Sequence, residues 1–325
     1  MAAVSVPSDG SEAADIAVVR DLQYAAPAGH ALFADLHLPR RATGAIPAIL
    51  WLHGGGWRHG NRHTGPDLSQ HFARRGFAMV AVDYRLTRHA RFPAQIEDVK
   101  TAIRWVRSIA ADYGIDTSRI GLWGASSGGH LAALAALTAD SQFTAADAPY
   151  LEHSSAPQAV VDGYGPTDFL QMDDHRPPGA VSDDPRSLIL PRPDMRSEDA
   201  DSYESLLLGA PIRTCPDRVR AASPLTYVHA GAPPFLIVHG LSDTTVAVQQ
   251  SQILYDALAS YANDVTLTLV EGLGHGFFNR ADLDDGGGRQ MRVEQSSAHG
   301  HHSTSTTAPV FSTIEAFFRR VLIPA

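Results

Sequence analysis

Short unbroken apolar runs alternate along this chain with longer stretches whose apolar positions recur every three to four residues. That alternation predicts strands and helices laid down in turn, the pattern of a mostly parallel sheet flanked by helices. Runs at 48–52, 76–82, 119–123, 158–163, 234–238 and 265–270 read as strands covered on both faces. Residues 31–38 alternate instead and read as an early antiparallel strand. A helix over 93–111 places Ile96, Val99, Ile103, Val106 and Ile109 on one stripe. Residues 129–137 form an alanine- and leucine-rich helix, and 310–322 close the chain with Phe311, Ile314, Phe317, Phe318 and Val321 on one face. No internal repeat is found. The reading is an α/β class protein with a single domain over 1–325.

Two segments break the regularity. Residues 171–205 are rich in Asp, Arg, Pro and Ser, with an apolar island at Leu188, Ile189 and Leu190. A long non-periodic segment in a compact domain is usually functional or disordered, so 171–222 reads as a lid insertion, with a solvated surface excursion as the alternative. Residues 281–309 hold three consecutive glycines and a Ser/Thr/His cluster, and read as a mobile loop. His299, His301 and His302 lack a Cys or carboxylate frame, so no metal site is expected there.

The chemistry lies at the strand ends. Gly124-Ala125-Ser126-Ser127-Gly128 fits G-x-S-x-G, the elbow that exposes a serine hydroxyl on a tight strand-to-helix turn. Alone the pentapeptide is also an ordinary glycine-rich turn; the strand before it and the helix after it supply the context. The run 48–52 leads into His53-Gly54-Gly55-Gly56-Trp57, the pattern that offers backbone amides to an oxyanion. The amides of Gly55, Gly56 and Ser127 are the candidates. A phosphate loop is disfavoured, because no Gly-Lys-Ser/Thr follows the glycines. Asp243 sits just past the strand ending at His239, and His275 lies between two glycines after the next strand. The order Ser, Asp, His is that of α/β-hydrolases. Sixteen histidines compete for the role of base. His53 and His239 precede glycines at strand ends and read as loop-shaping. His130 lies on the helix after the elbow and reads as packing or hydrogen bonding. Only His275 follows the last strand after the acid loop. Glu271 is the nearest rival acid, on a strand end where its side chain is expected to point elsewhere.

These motifs, with Val82-Asp83-Tyr84-Arg85-Leu86, the segment 92–98, Gly165-Pro166-Thr167-Asp168, Ser223-Pro224-Leu225, His239-Gly240 and Gly274-His275-Gly276-Phe277, span about residues 30–280. In that order they resemble the hormone-sensitive-lipase-like carboxylesterases of the α/β-hydrolase fold. More narrowly, they resemble the bacterial branch that includes bifunctional feruloyl and acetyl-xylan esterases. The resemblance implies an α/β-hydrolase fold and a cap after the 158–163 strand. It implies Ser126, Asp243 and His275 as the triad. Ser127 stands where many relatives carry alanine, and the polar insertion after His275 is not typical of the family.

Composition narrows the field. At 325 residues and 44% apolar the chain can bury a sizeable core, and no run approaches the ~20 apolar residues of a membrane span. The first ten residues lack a basic region and a long apolar stretch, so a cytoplasmic protein is expected, a processed secreted form being compatible. One cysteine, Cys215, excludes an internal disulfide and reads as a small residue beside Pro216. A net charge of −9 argues against a nucleic-acid partner. Lys100, the only lysine, reads as a surface position on its helix.

The expectation is a serine carboxylesterase acting on short-chain or aryl esters through an acyl-enzyme, with a small-molecule ester as partner, no cofactor, and a homo-oligomer compatible. An amidase or formamidase on the same triad is the alternative, and a non-catalytic ligand-binding protein of hydrolase fold a second. Trp57 and Phe277 adjoin the motifs and are expected at the substrate pocket, with packing support as the other reading.

Overall fold

The computed structural model describes residues 15–41, 44–176, 179, 181 and 194–323. Among these, ten strands form one sheet: β1 (Ile16–Ala25), β2 (Leu32–Pro39), β3 (Ile46–Leu52), β4 (Ala78–Val82), β5 (Ile115–Ala125), β6 (Ala159–Gly163), β7 (Phe235–Gly240), β8 (Val265–Val270), β9 (Arg289–Ser297) and β10 (Gly300–Ala308). Their spatial order is β1-β2-β4-β3-β5-β6-β7-β8-β9-β10. The six strands from β4 to β8 in that order run parallel, and the pairs at either end are antiparallel.

The parallel strands read as apolar runs because both of their faces are covered. Alternate side chains enter opposite layers. Leu50, Leu122, Val160 and Ile237 pack toward the helices Ala94–Ser108, Ser127–Thr138 and Gln249–Ser260. Trp51, Trp123, Val161 and Leu236 pack toward Phe72 and the helix Val310–Leu322. Trp51 and Trp123 are register partners on β3 and β5, with ring centroids 4.5 Å apart.

Chain direction reverses across the sheet at β3. The chain steps from β3 outward to β4, crosses back over β3 to β5, and continues away through β6, β7 and β8. Crevices outside the carboxyl ends of strands at such a switch point are where open α/β sheets bind ligands. The carboxyl ends of β3 and β5 lead into His53-Gly54-Gly55-Gly56 and into Ser126.

Two expectations are corrected, and one strand goes beyond what the sequence showed. Residues 289–308 are not a loop but the β9–β10 hairpin, paired to β8 from Val265↔Ser296 to Val270↔Met291. Only Met291 of the hairpin is buried, so the strands rest on ladder hydrogen bonds and Thr-rich β-propensity, which apolar periodicity does not report. His301 sits there 3.1 Å from Glu294. Lys100 is fully buried rather than at the surface. Its Nζ donates to the carbonyls of Ala139 and Gln142, in the turn that follows the helix Ser127–Thr138. Strand β1 is absent from the apolar pattern, because it is half exposed and irregular near Asp21, a residue at φ 58°. The island Leu188, Ile189 and Leu190 lies outside the described residues. No helix among the described residues is long and apolar enough to cross a membrane.

Candidate active site

Ser126 stands between β5 and the helix Ser127–Thr138 at φ 55°, ψ −119°, a conformation L-residues rarely adopt. Such backbone strain costs about 1–3 kcal/mol and persists only where the surroundings impose it. Here the Ser126 amide donates to Gly163 O at 2.7 Å on β6, and Ser126 O accepts from His130 N at 2.9 Å. The elbow glycine Gly128 is required by close approach: a Cβ there would lie 2.0 Å from Leu52 O.

The fold brings Asp243 and His275 to Ser126 from the ends of β7 and β8. His275 Nε2 lies 2.9 Å from Ser126 Oγ, and His275 Nδ1 lies 2.7 Å from Asp243 Oδ2. A carboxylate facing Nδ1 requires the proton on that nitrogen, which leaves the Nε2 lone pair toward the serine hydroxyl. Asp243 Oδ1 accepts from the amides of Thr245 and Val246, each at 2.9 Å. Burial works against the Asp243 charge, but the His275 and His239 rings offset it and hold the carboxyl well below the usual carboxylate range. Glu271 is exposed and apart from this array.

His239 does more than shape its loop. Its Nε2 faces two acceptors, Asp243 Oδ2 at 3.1 Å and Val246 O at 2.9 Å, so that nitrogen carries the proton. Its Nδ1 lies 2.7 Å from Ser251 Oγ. The sequence signal was the four-residue spacing from His239 to Asp243.

Glycines shape the loop after β3. Gly55 and Gly56 have φ of 128° and 58°. Gly56 and Ser127 line the same cleft as Ser126 and His275, and Gly55 lies buried beside them. Among the described residues, none of the three amides donates to another protein group. Ser127 opens a 12-residue helix, so its amide also carries the positive end of the helix dipole. Tyr84 Oη donates to His53 O at 2.8 Å, and the two rings stack 4.3 Å apart. Trp57 Nε1 donates to His130 Nδ1 at 3.2 Å, while His130 Nε2 faces Ala222 O at 2.7 Å. His130 is therefore a neutral bridge from the glycine loop to the helix Pro216–Ala222, and burial pushes its pKa down to about 4.

Of the two expected pocket aromatics, Trp57 lines the cleft. Phe277 does not. It is buried against Tyr164 and Phe278, with centroids 4.7 Å from each, because Gly276 at φ 75° turns the chain inward after His275. The other wall comes from the 171–222 segment, through Met172, Arg176, Tyr203 and Glu204. Tyr203 covers Gly56 so closely that a Cβ there would lie 2.5 Å from its ring. Sequence reading missed Tyr203, Arg176 and Glu204, since nothing local marks a residue that meets the site only through tertiary packing.

A family model described as BD-FAE matches residues 34–258. Esterase LipC of Mycobacterium tuberculosis is 34% identical over 246 residues, which is 75% of this chain and 55% of LipC. Esterase LipQ of the same organism is 33% identical over 241 residues, 73% of this chain and 50% of LipQ. The chain thus spans about half the length of the curated relatives it matches. Among solved structures, a truncated carbohydrate esterase from gut microbiota superposes with a TM-score of 0.68 at 32% identity, covering 82% of this chain and 91% of that one. The propionate-bound esterase Est2 of Thermogutta terrifontis gives 0.63 at 26%, covering 85% and 90%.

Proposed function

The chain belongs to the BD-FAE family, and on that premise we propose that it is a serine carboxylesterase of α/β-hydrolase fold acting on short-chain or aryl esters. The observation that carries the reading is the continuous hydrogen-bonded line from Asp243 through His275 to a strained Ser126, 2.7 and 2.9 Å, opening into a cleft. The names of the relatives, esterases in each case given above, support the same chemistry.

Ser126 Oγ attacks the ester carbonyl as His275 Nε2 takes its proton. Negative charge gathers on the carbonyl oxygen, and the amides of Gly55, Gly56 and Ser127 face it. Asp243 holds the imidazole tautomer and stabilises the imidazolium without taking the proton. His275 then protonates the leaving alkoxide. Water repeats the sequence on the acyl-enzyme and releases the acid. The described residues of 171–222 that border the cleft act as its lid, with Trp57 and Tyr203 as walls of the substrate cleft.

The test is hydrolysis of p-nitrophenyl acetate, butyrate and octanoate by wild type and Ser126→Ala, with p-nitroacetanilide alongside. The variant is expected to lose about 10³-fold or more in kcat/KM. Wild-type rates in the variant would end the reading, and preferred cleavage of the anilide would move it to an amidase.

A further inference from the structure

The cleft that holds Ser126 and His275 is walled on its lid side by four charged groups for which acyl transfer has no use: Asp173, Arg176, Arg196 and Glu204. Two of them are engaged by neighbours. Asp173 accepts from the amides of Ser197 and Glu198, each at 2.9 Å. Arg196 donates to Asp173 O at 2.9 Å and lies 3.9 Å from the Asp173 carboxylate.

Arg176 is different. Its Nη1 donates to Met195 O at 2.6 Å. Its Nε and Nη2 are buried and have no hydrogen-bond partner among the described residues. These two nitrogens share one edge of the guanidinium and present parallel N–H groups, the fork that fits the two oxygens of a carboxylate. Buried donors of a charged group left unpaired are unfavourable, so each such case calls for a partner.

Glu204 tilts the site the same way. It is only 7% exposed, and burial raises its pKa to about 7, with Asp173 adding to the rise and Arg176 opposing it. In its neutral form it offers a proton rather than a competing charge. A vicinal diol could also reach the fork, but each hydroxyl would then need an acceptor of its own. A carboxylate meets the fork with two charge-assisted bonds, which neutral hydroxyls do not match.

Resting on the esterase reading above, we propose that Arg176 is a specificity-determining residue that clamps a carboxylate carried on the acyl or alcohol part of the ester, so that the preferred substrate class is a carboxylate-bearing ester.

The experiment compares kcat/KM within matched pairs for wild type, Arg176→Gln and Arg176→Lys. The pairs are mono-(p-nitrophenyl) adipate with p-nitrophenyl hexanoate for the acyl side, and 4-acetoxybenzoate with 4-acetoxybenzamide for the alcohol side. Monoacetin with ethyl acetate tests a diol. Wild type is expected to favour the anionic member of at least one pair by about tenfold or more, mostly through KM. Arg176→Gln should abolish that ratio, and Arg176→Lys, which keeps the charge and loses the fork, should fall between. Each ratio is taken within one preparation, so a fall in folded fraction cancels. An absent preference, or one unchanged in Arg176→Gln, overturns the proposal while leaving the esterase reading intact. So does an Arg176-dependent preference confined to the diol pair. No turnover of any ester by wild type would overturn both readings.

Discussion

His239 and His275 converge on one oxygen: both rings meet Asp243 Oδ2, at 3.1 and 2.7 Å, from the ends of adjacent strands. The carboxylate is therefore held by two imidazoles and two backbone amides, which aim it at His275 with little freedom. His239→Asn removes one charge-assisted bond and should lower kcat/KM by about tenfold. Freed of its bond to His239, the Asp243 charge bears more strongly on the His275 imidazolium, so the acid limb of the pH–kcat/KM profile, which reports the base, should move toward higher pH. An unchanged limb would show that His239 acts only as packing.

Asp243 also ties stability to pH. Its folded pKa is depressed, so its contribution is present above the unfolded value near about 4 and is lost as pH falls toward the folded one. Urea midpoints of wild type and Asp243→Asn should converge as pH drops from about 6 to 3. Parallel curves would sink this account.

Glu204 works in the opposite direction. Its folded pKa is raised to about 7, so the unfolded chain ionises first and stability falls as pH rises from about 4.5 to 7. Glu204→Gln should be more stable than wild type at pH 8, by about 2 kcal/mol, with the gain shrinking at pH 5. Denaturant melts at the two pH values decide it.

His130 remains neutral in the fold, with its pKa pushed down to about 4 by burial. The unfolded chain takes up that proton near about 6.5, so this residue removes stability as pH falls from 6.5 to 4. His130→Phe should flatten that part of the stability–pH curve. It should also lower stability at pH 8 by about 1–3 kcal/mol, since Trp57 Nε1 and Ala222 O lose their partner.

Gly128→Ala places a methyl group 2.0 Å from Leu52 O, in the contact between the elbow helix and β3. A loss of about 2–4 kcal/mol in unfolding free energy is expected. Wild-type stability in this variant would mean that the backbone relaxes freely there.

Sequence alone determined the alternation of buried strands and helices. Continuous apolar runs and 3.6-residue stripes are local properties, and β8 (Val265–Val270) and the helix Val310–Leu322 were readable to the residue. It also marked Ser126, Asp243 and His275, because glycines and strand ends flag where backbone must turn sharply. Tertiary structure decided what those signals cannot carry. The β9–β10 hairpin is held by pairing to β8, and β1 by pairing to β2, and neither leaves an apolar period. Lys100 is buried because two carbonyls from a distant turn receive its ammonium. Phe277 faces the core because Gly276 reverses the chain beside it. His275 on Asp243, Tyr203 over Gly56 and Arg176 in the cleft wall are meetings of residues far apart in the chain. Local pattern records which backbone a residue can adopt and whether it prefers water, whereas partners across space depend on how the sheet and its connecting segments pack around the site.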